Sequence, residues 1–344
     1  MKNQKNILNE LFVLELANNH WGQLDRGKKI IHQFGEVVRS NNIHAAIKLQ
    51  FRNVDSFIHK KYKGNTDNRY IWKTEKTKSS KEFYAELIKH IKLVNCIPMA
   101  TPFDEESVDW CKEFDLKIIK IASSDINDWN LIKKIAPLKN PVIISTGGAY
   151  DKNINDVVQF FDNRSIPIAI NHCVSKYPSE NSELELNQID YLKTQFPDKI
   201  IGLSTHEYHD WSSSMLISYA KGVRTWERHI DIDDGNFEIS KYCSTPNQID
   251  TWFKAYHTAK TMCGGSLIER RIIDEKETSY LHSLYRGLYF NGNMKKGQLV
   301  TNDNLYAAIP YLKNINHISS RDFIENAILT KDVSIDDPLT KDVI

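Results

Sequence analysis

The chain has 344 residues, and its 45 Lys and Arg nearly cancel its 44 Asp and Glu, leaving a formal net charge of +1. That balance gives no global field for nucleic acid or an anionic membrane, and no apolar run reaches membrane-spanning length. Cys96, Cys111, Cys173, Cys243 and Cys263 are widely spaced and form no CxxC pair, and the opening Met1–Asn6 lacks a signal-peptide apolar region; both fit a cytoplasmic protein with reduced thiols.

Eight apolar, β-rich runs follow in order. They are Leu11–Ala17, Ala45–Phe51, Cys96–Phe103 and Lys117–Ser123, then Pro141–Gly147, Ile166–Cys173, Ile200–His206 and Arg224–Ile230. Amphipathic stretches separate them, among them Arg26–Ser40, Lys81–Leu93, Glu105–Phe114, Asn130–Ile135 and Ser212–Lys221. Eight strands alternating with helices predict an α/β fold, a (β/α)8 TIM barrel over residues 1–265. A doubly wound sheet fits less well, because no GxGxxG follows the first strand.

Buried parallel strands should read as plain Val, Ile and Leu. Here each run carries a polar group toward its carboxyl end: Glu15; Lys48 and Gln50; Thr101; Lys120 and Ser123; Ser145 and Thr146; His172; Ser204 and His206; Glu227 and His229. One such residue would be unremarkable at a solvated rim. Eight of eight, with two lysines and two carboxylates among them, predict convergence on one site at the carboxyl face of the barrel.

The stretch Ile201–Ile230 reads as strand, loop, helix and strand, which sets His206 and His229 at neighbouring strand ends. Two imidazoles near carboxylates, with no Cys, suit an open, catalytic divalent-metal site; two unrelated strand-end histidines are the plain alternative. The lysines together with Thr101, Ser123, Ser145 and Ser204 suit an anion such as a phosphate, alone or with a carboxylate. His209 and Asp210 are candidates to supplement the metal ligands, and His20 to orient Glu15. The loop Arg52–Lys81 is long and basic, a solvated insertion or a device that steers anions inward. A polar linker is expected over 266–283, then a small β-rich module over 284–344, including a short strand before Asp337-Pro338-Leu339-Thr340.

These motifs, taken together, resemble the sialic acid synthases across nearly the whole chain. The resemblance runs through Glu15-Leu16-Ala17-Asn18-Asn19-His20, Ile47-Lys48-Leu49-Gln50, Ala100-Thr101-Pro102-Phe103 and Ile119-Lys120-Ile121-Ala122-Ser123. It continues through Ile144-Ser145-Thr146-Gly147, His172 to Pro178, Gly202-Leu203-Ser204-Thr205-His206 and Glu227-Arg228-His229. The tail, with Met294-Lys295-Lys296-Gly297, resembles the family's antifreeze-like (SAF) domain.

What the resemblance implies is a condensation of phosphoenolpyruvate with an open-chain aldose, an amino sugar such as N-acetylmannosamine, to a nonulosonic acid. His206 and His229 would bind a divalent metal, Mn2+ or else Mg2+ or Co2+. Lys48, Thr101, Lys120, Ser123, Ser145, Ser175 and Ser204 would hold phosphoenolpyruvate. Glu15 would serve as acid and base, and Gln50, Asp125, Tyr177 and Glu227 would line the acceptor side. The small domain would cap the barrel of a second copy in a domain-swapped homodimer. Two departures bear on the acceptor: the G-P-D segment expected after His229 is replaced by Ile230-Asp231-Ile232-Asp233-Asp234, and Ile309 stands before Pro310 where the family has Arg. The competing readings are a pyruvate-dependent barrel aldolase or lyase using a Schiff-base lysine, and a catalytically lapsed sugar-binding protein.

Overall fold

A computed structural model describes residues 7–265 and 269–344, so Met1–Asn6 and the first three linker positions lie outside the described residues. Two compact units are distinguished, Met1–Gly264 and Gly265–Ile344.

The first unit begins with β1 (Leu11–Ala17), α1 (Leu24–Ser40) and β2 (Ala45–Phe51). The basic segment that follows is more ordered than its composition suggests, with α2 (Val54–Phe57) and α3 (Arg69–Lys76) preceding α4 (Lys81–Leu93). The side chain of Asn68 caps α3 by accepting from the Tyr70 and Ile71 amides. Next come β3 (Ile97–Pro102), α5 (Glu105–Glu113), β4 (Ile119–Ile121), α6 (Trp129–Ile135), β5 (Val142–Ser145) and α7 (Asp151–Asp162). The unit closes with β6 (Ile168–Cys173), α8 (Gln188–Gln195), β7 (Ile200–Ser204), α9 (Ser213–Ala220) and β8 (Thr225–Ile230). A two-residue β9 (Cys243–Ser244) and α10 (Pro246–Cys263) complete it. The eight strands pair in parallel in sequence order, and β1 pairs with β8, so the sheet is a closed barrel.

Strand alternation explains both cores. One parity of each strand faces outward, where Phe12, Leu14, Ile47, Ile119, Ile144, Ile170 and Trp226 meet the helices in one large apolar cluster. Phe12 alone stacks on Trp226 at 4.9 Å and meets Trp252, Phe253 and Tyr256 edge-on. The opposite parity fills the barrel. Leu11, Val13, Ala46, Met99, Ile118, Ile143 and Ala169 form a dry floor. Two residues further along the same strands stand Glu15, Lys48, Thr101, Lys120, Ser145 and Asn171. Asn171 accepts a 2.7 Å hydrogen bond from Thr225 across the barrel, and a Cβ at Gly202 would collide with both.

Several strands are shorter than the sequence suggests. β4 stops at Ile121, and Ser123–Asp125 forms a 3₁₀ turn; β5 ends at Ser145 and β7 at Ser204. The polar ends leave the ladder to present their side chains to the cavity, so composition ran past the hydrogen-bonded strand.

In the second unit, α11 (Glu275–His282) occupies ground expected to be linker. Its sheets are β10 (Gly287–Phe290) with β12 (Leu305–Ala308), and β11 (Leu299–Val300) with β13 (Ala327–Ile328), both antiparallel. The expected strand before Asp337 is reduced to isolated bridges, Met294 with Val333 and Tyr289 with Pro338. Leu288, Phe290, Val300, Ile318, Leu329 and Leu339 build this unit's own core.

Candidate active site

Register brings the polar strand ends together. Glu15 lies beside Lys48 on one side and His229 on the other, Gln50 beside Thr101, and Ser204 between Cys173 and Glu227. Just past Glu15 the β1–β2 register slips by one residue, and Ala17 takes a left-handed φ of 51°. Such a bulge re-aims the chain at a strand end. It leads into Asn19, whose amide donates to the Ile230 carbonyl at 2.8 Å.

These side chains line one cavity of about 600 Å³. Of the sequence-predicted residues it takes in Glu15, Lys48, Gln50, Thr101, Lys120, Ser123, Ser145, Ser175, Tyr177, Ser204, His206, Glu227 and His229. Asp125 is the exception and is not part of the lining. The 3₁₀ turn breaks the period-two alternation after Ser123, and Asp125 is instead half-buried, its carboxyl pushed up to about 6 by desolvation.

At the bottom of the cavity two carboxylates and two ammonium groups form one network. The Lys120 ammonium donates to Glu227 at 2.8 Å and to Ser145 at 2.6 Å. The Lys48 ammonium donates to Thr101 at 3.1 Å, lies 3.3 Å from Glu227, and also pairs with Glu15. Gln50 donates to the other Glu15 oxygen at 2.9 Å. All four charged side chains are nearly inaccessible to water. The two carboxylates are consequently split. Burial pushes both up, but at Glu227 the charges of Lys120 and Lys48 outweigh it and hold the group well below the usual range. Glu15 has Lys48 against it and Glu227's negative charge nearby, and burial wins, so its pKa is raised. Such a split separates a permanent anion from a proton carrier. A second cradle lies beside it: the Gly147 amide donates to Ser123 at 3.0 Å, and a Cβ at Gly147 would strike Ser175 and Ser123.

The rings of His206 and His229 stand 5.5 Å apart. His206 Nδ1 donates to the Val174 carbonyl at 3.1 Å, which fixes the tautomer and leaves Nε2 with a free lone pair. Burial depresses both imidazoles, His206 to about 4, so they are neutral at ordinary pH. His229 makes no ring hydrogen bond among the described residues. Two neutral imidazoles with open lone pairs fit a divalent ion. Among the described residues no cluster of three or more His, Cys, Asp or Glu surrounds a common point. A metal here would therefore complete its shell from water and substrate oxygens, as catalytic sites do.

The other histidine candidates go elsewhere. His209 bonds Glu180 at 2.9 Å, and Asp210 receives the Ser212 and Ser213 amides at the start of α9. His20 is buried against Phe83 and accepts from the Gly22 amide, with no hydrogen bond to Glu15 among the described residues. His172 has outward parity and meets the Leu184 carbonyl at 2.8 Å.

The cavity also has walls beyond the residues expected to hold substrate, several of them from the basic segment Arg52–Lys81 that was one candidate for steering anions inward. Arg52, Tyr70, Lys73, Thr74, Phe103 and Tyr242 line it. Arg52 continues the inward parity of Lys48 and Gln50, a signal that was available. Tyr242 comes from the segment after β8, which is anchored far away in sequence: Arg26 pairs with Asp231 at 2.6 Å and with Asp234, while Trp21 stacks on Phe237 at 4.8 Å.

The model of the NeuB family matches residues 41–276. The pseudaminic acid synthase of Campylobacter jejuni subsp. jejuni serotype O:2 is 27% identical over 308 residues, covering 87% of this chain and 86% of that protein. The N-acetylneuraminate-9-phosphate synthase of Drosophila melanogaster is 31% identical over 250 residues, 69% of this chain and 64% of its own length. Among solved structures, a Chromobacterium violaceum protein assigned as spore coat polysaccharide biosynthesis protein E superposes with a TM-score of 0.89 at 32% identity, covering 97% of this chain and 98% of that one. No helix among the described residues is long and apolar enough to cross a membrane.

Proposed function

This chain belongs to the NeuB family, and from that premise we propose that it condenses phosphoenolpyruvate with an open-chain aldose, giving a nonulosonic (sialic-type) acid and phosphate. The observation that carries the reading is an anion cradle of two lysines and several hydroxyls sharing one cavity with two neutral imidazoles.

In this reading Lys48, Lys120, Thr101, Ser123, Ser145, Ser175 and Ser204 hold the phosphate and carboxylate of the donor. His206 and His229 hold a divalent ion, Mn2+ in preference to Mg2+ or Co2+; when bound, such an ion supplies Lewis-acid polarisation of the aldehyde oxygen. Gln50, Tyr177 and Glu227 orient the acceptor so that its aldehyde carbon meets the methylene carbon of phosphoenolpyruvate. As that C–C bond forms, C2 of the donor becomes cationic, and the ionised Glu15 stabilises it at short range in a water-poor pocket. Water then adds to C2, one of its protons passes by way of Glu15 to the former aldehyde oxygen, and the C2–O bond to phosphate breaks as the remaining C2 hydroxyl gives its proton to the departing phosphate and becomes the ketone. The second unit would serve as the cap on a partner's barrel in a domain-swapped homodimer. Ile309, which precedes Pro310, has no side-chain donor for an acceptor's amide group.

The test is a panel of aldoses incubated with phosphoenolpyruvate and Mn2+, scored by phosphate release and product mass. Release that tracks one amino sugar, with a product equal in mass to donor plus acceptor plus water less phosphate, supports the synthase. Trapping of a pyruvate adduct by borohydride on Lys48 or Lys120 would favour the aldolase instead. A pH dependence follows as well. Because Glu15 is needed ionised and its pKa is raised, activity present at neutral pH is lost on acidification, along a limb in kcat/KM lying above the ordinary glutamate value of 4.5. Glu15→Gln is expected to abolish that limb along with most turnover, and a pH profile of both proteins checks it.

A further inference from the structure

Beyond the charges at the bottom of the cavity lies a second, different charge pattern. The inner two lysines and two carboxylates cancel one another. Further out, Arg52 lines the wall, 5% exposed, with no carboxylate within ion-pair distance among the described residues. Its guanidinium donates to Gln50 at 2.9 Å and to the Tyr70 hydroxyl at 3.0 Å, and lies 3.7 Å from the centre of the Phe103 ring. Its Nε is buried without any partner. Lys73, one turn along α3 from Tyr70, makes no ion pair among the described residues and sits 5.2 Å over the Trp21 ring. Arg69, at the start of the same helix, lines the groove that continues the cavity past Tyr70, Lys73, Tyr177 and Tyr242. Glu238 is the single carboxylate in that groove's lining, and it is exposed.

These three cations, none of them in an ion pair among the described residues, repel one another. Burial lowers the pKa of Lys73, and the charges of Arg69 and Arg52 add to that effect against the opposing pull of Cys243 and Asp231. Leaving a buried donor unsatisfied also carries a cost. An anion between these groups would relieve both. The donor is already provided for by the inner hydroxyls and lysines, so this second demand belongs to the other substrate. From Lys48 to Arg52 is four residues of extended chain, ~13 Å at the strand rise, room for an extended six-carbon sugar.

Resting on the condensation proposed above, we infer that the acceptor sugar carries an anionic group, phosphate or carboxylate, at the end remote from its aldehyde, and that Arg52, Arg69 and Lys73 recognise it. A guanidinium braced by Tyr70 and Phe103 presents its edge as a fixed fork suited to such oxygens. The preference is thus written into α3 and the end of β2, outside the motifs that hold the donor.

The probes are N-acetylmannosamine, its 6-phosphate and its 6-carboxylate (uronic acid) form. Binding is measured by calorimetry on the full chain, treated with chelator and saturated with phosphoenolpyruvate; turnover is measured with Mn2+. One anionic probe is expected to bind at least tenfold tighter than the neutral sugar, and which one does so decides between phosphate and carboxylate. Lys73→Met and Arg69→Ala should each shrink that ratio severalfold, whereas Lys61→Ala, elsewhere on the same basic segment, should leave it intact. Equal binding of neutral and anionic probes overturns the inference. So does a rise in the KM for phosphoenolpyruvate that matches the loss for the acceptor, since the cations would then serve the donor. Absence of phosphate release with these probes and with every other aldose of the panel would sink the synthase reading itself, while the binding ratio reports separately on the anion subsite.

Discussion

Replacing either His206 or His229 with alanine is expected to lower kcat by a factor of a thousand or more while leaving the barrel folded. Each ring contributes a neutral nitrogen lone pair to the cavity, and neither ring is part of the apolar packing that holds the helices to the sheet. Loss of a ligand to a Lewis-acid ion removes several kcal/mol of transition-state stabilisation, roughly the factor named. Calorimetric titration with Mn2+ should show the site lost or weakened severalfold in both variants, with thermal unfolding nearly unchanged. Full activity of either variant after stringent chelation would remove the metal from the mechanism.

Lys120→Met should damage both stability and activity, and the two effects can be separated. Lys120 is buried against Glu227, so its removal leaves that carboxylate with Lys48 alone in a dry pocket. Breaking a buried pair from one side costs about 3–5 kcal/mol. Urea denaturation should register that loss, and Lys120→Met/Glu227→Gln should recover most of it by removing the stranded charge. Turnover should stay at least a thousandfold down in both proteins, because the double variant restores no donor to the phosphate or carboxylate of the substrate. A double variant that regains activity along with stability would reduce Lys120 to a scaffold residue.

The barrel was legible because its signal is local and repeated. A buried strand that breaks its apolar run with a polar group at the same end, eight times over, says where the strands point as well as that they exist. Glu15, Lys48, Lys120, Ser145, Ser204 and Glu227 all followed from that pattern and line the cavity together. Asp125 did not follow, because counting by twos fails once the chain turns into a 3₁₀ helix at Ser123. The wall formed by α3 was hidden for another reason. Its eight residues, Arg69–Lys76, are mostly charged or polar, so composition left both a solvated insertion and an anion-steering device open. The spacing of Tyr70, Lys73, Thr74 and Thr77 on one helical face was the available clue. Tyr242 could not be read locally at all: its segment is fixed by Arg26 through partners 205 and more positions away.

The mutual pairing of Lys48 and Lys120 with Glu15 and Glu227 makes the resting pocket its own competitor. Any entering anion meets ammonium groups that already have carboxylates of their own, so its net gain is the difference between two attachments rather than the whole of one. A tight inhibitor for such a pocket would have to bring something for the displaced carboxylates as well, a cationic or hydrogen-donating arm beside its negative charge, and a bare dianion would bind less well than the number of its contacts suggests.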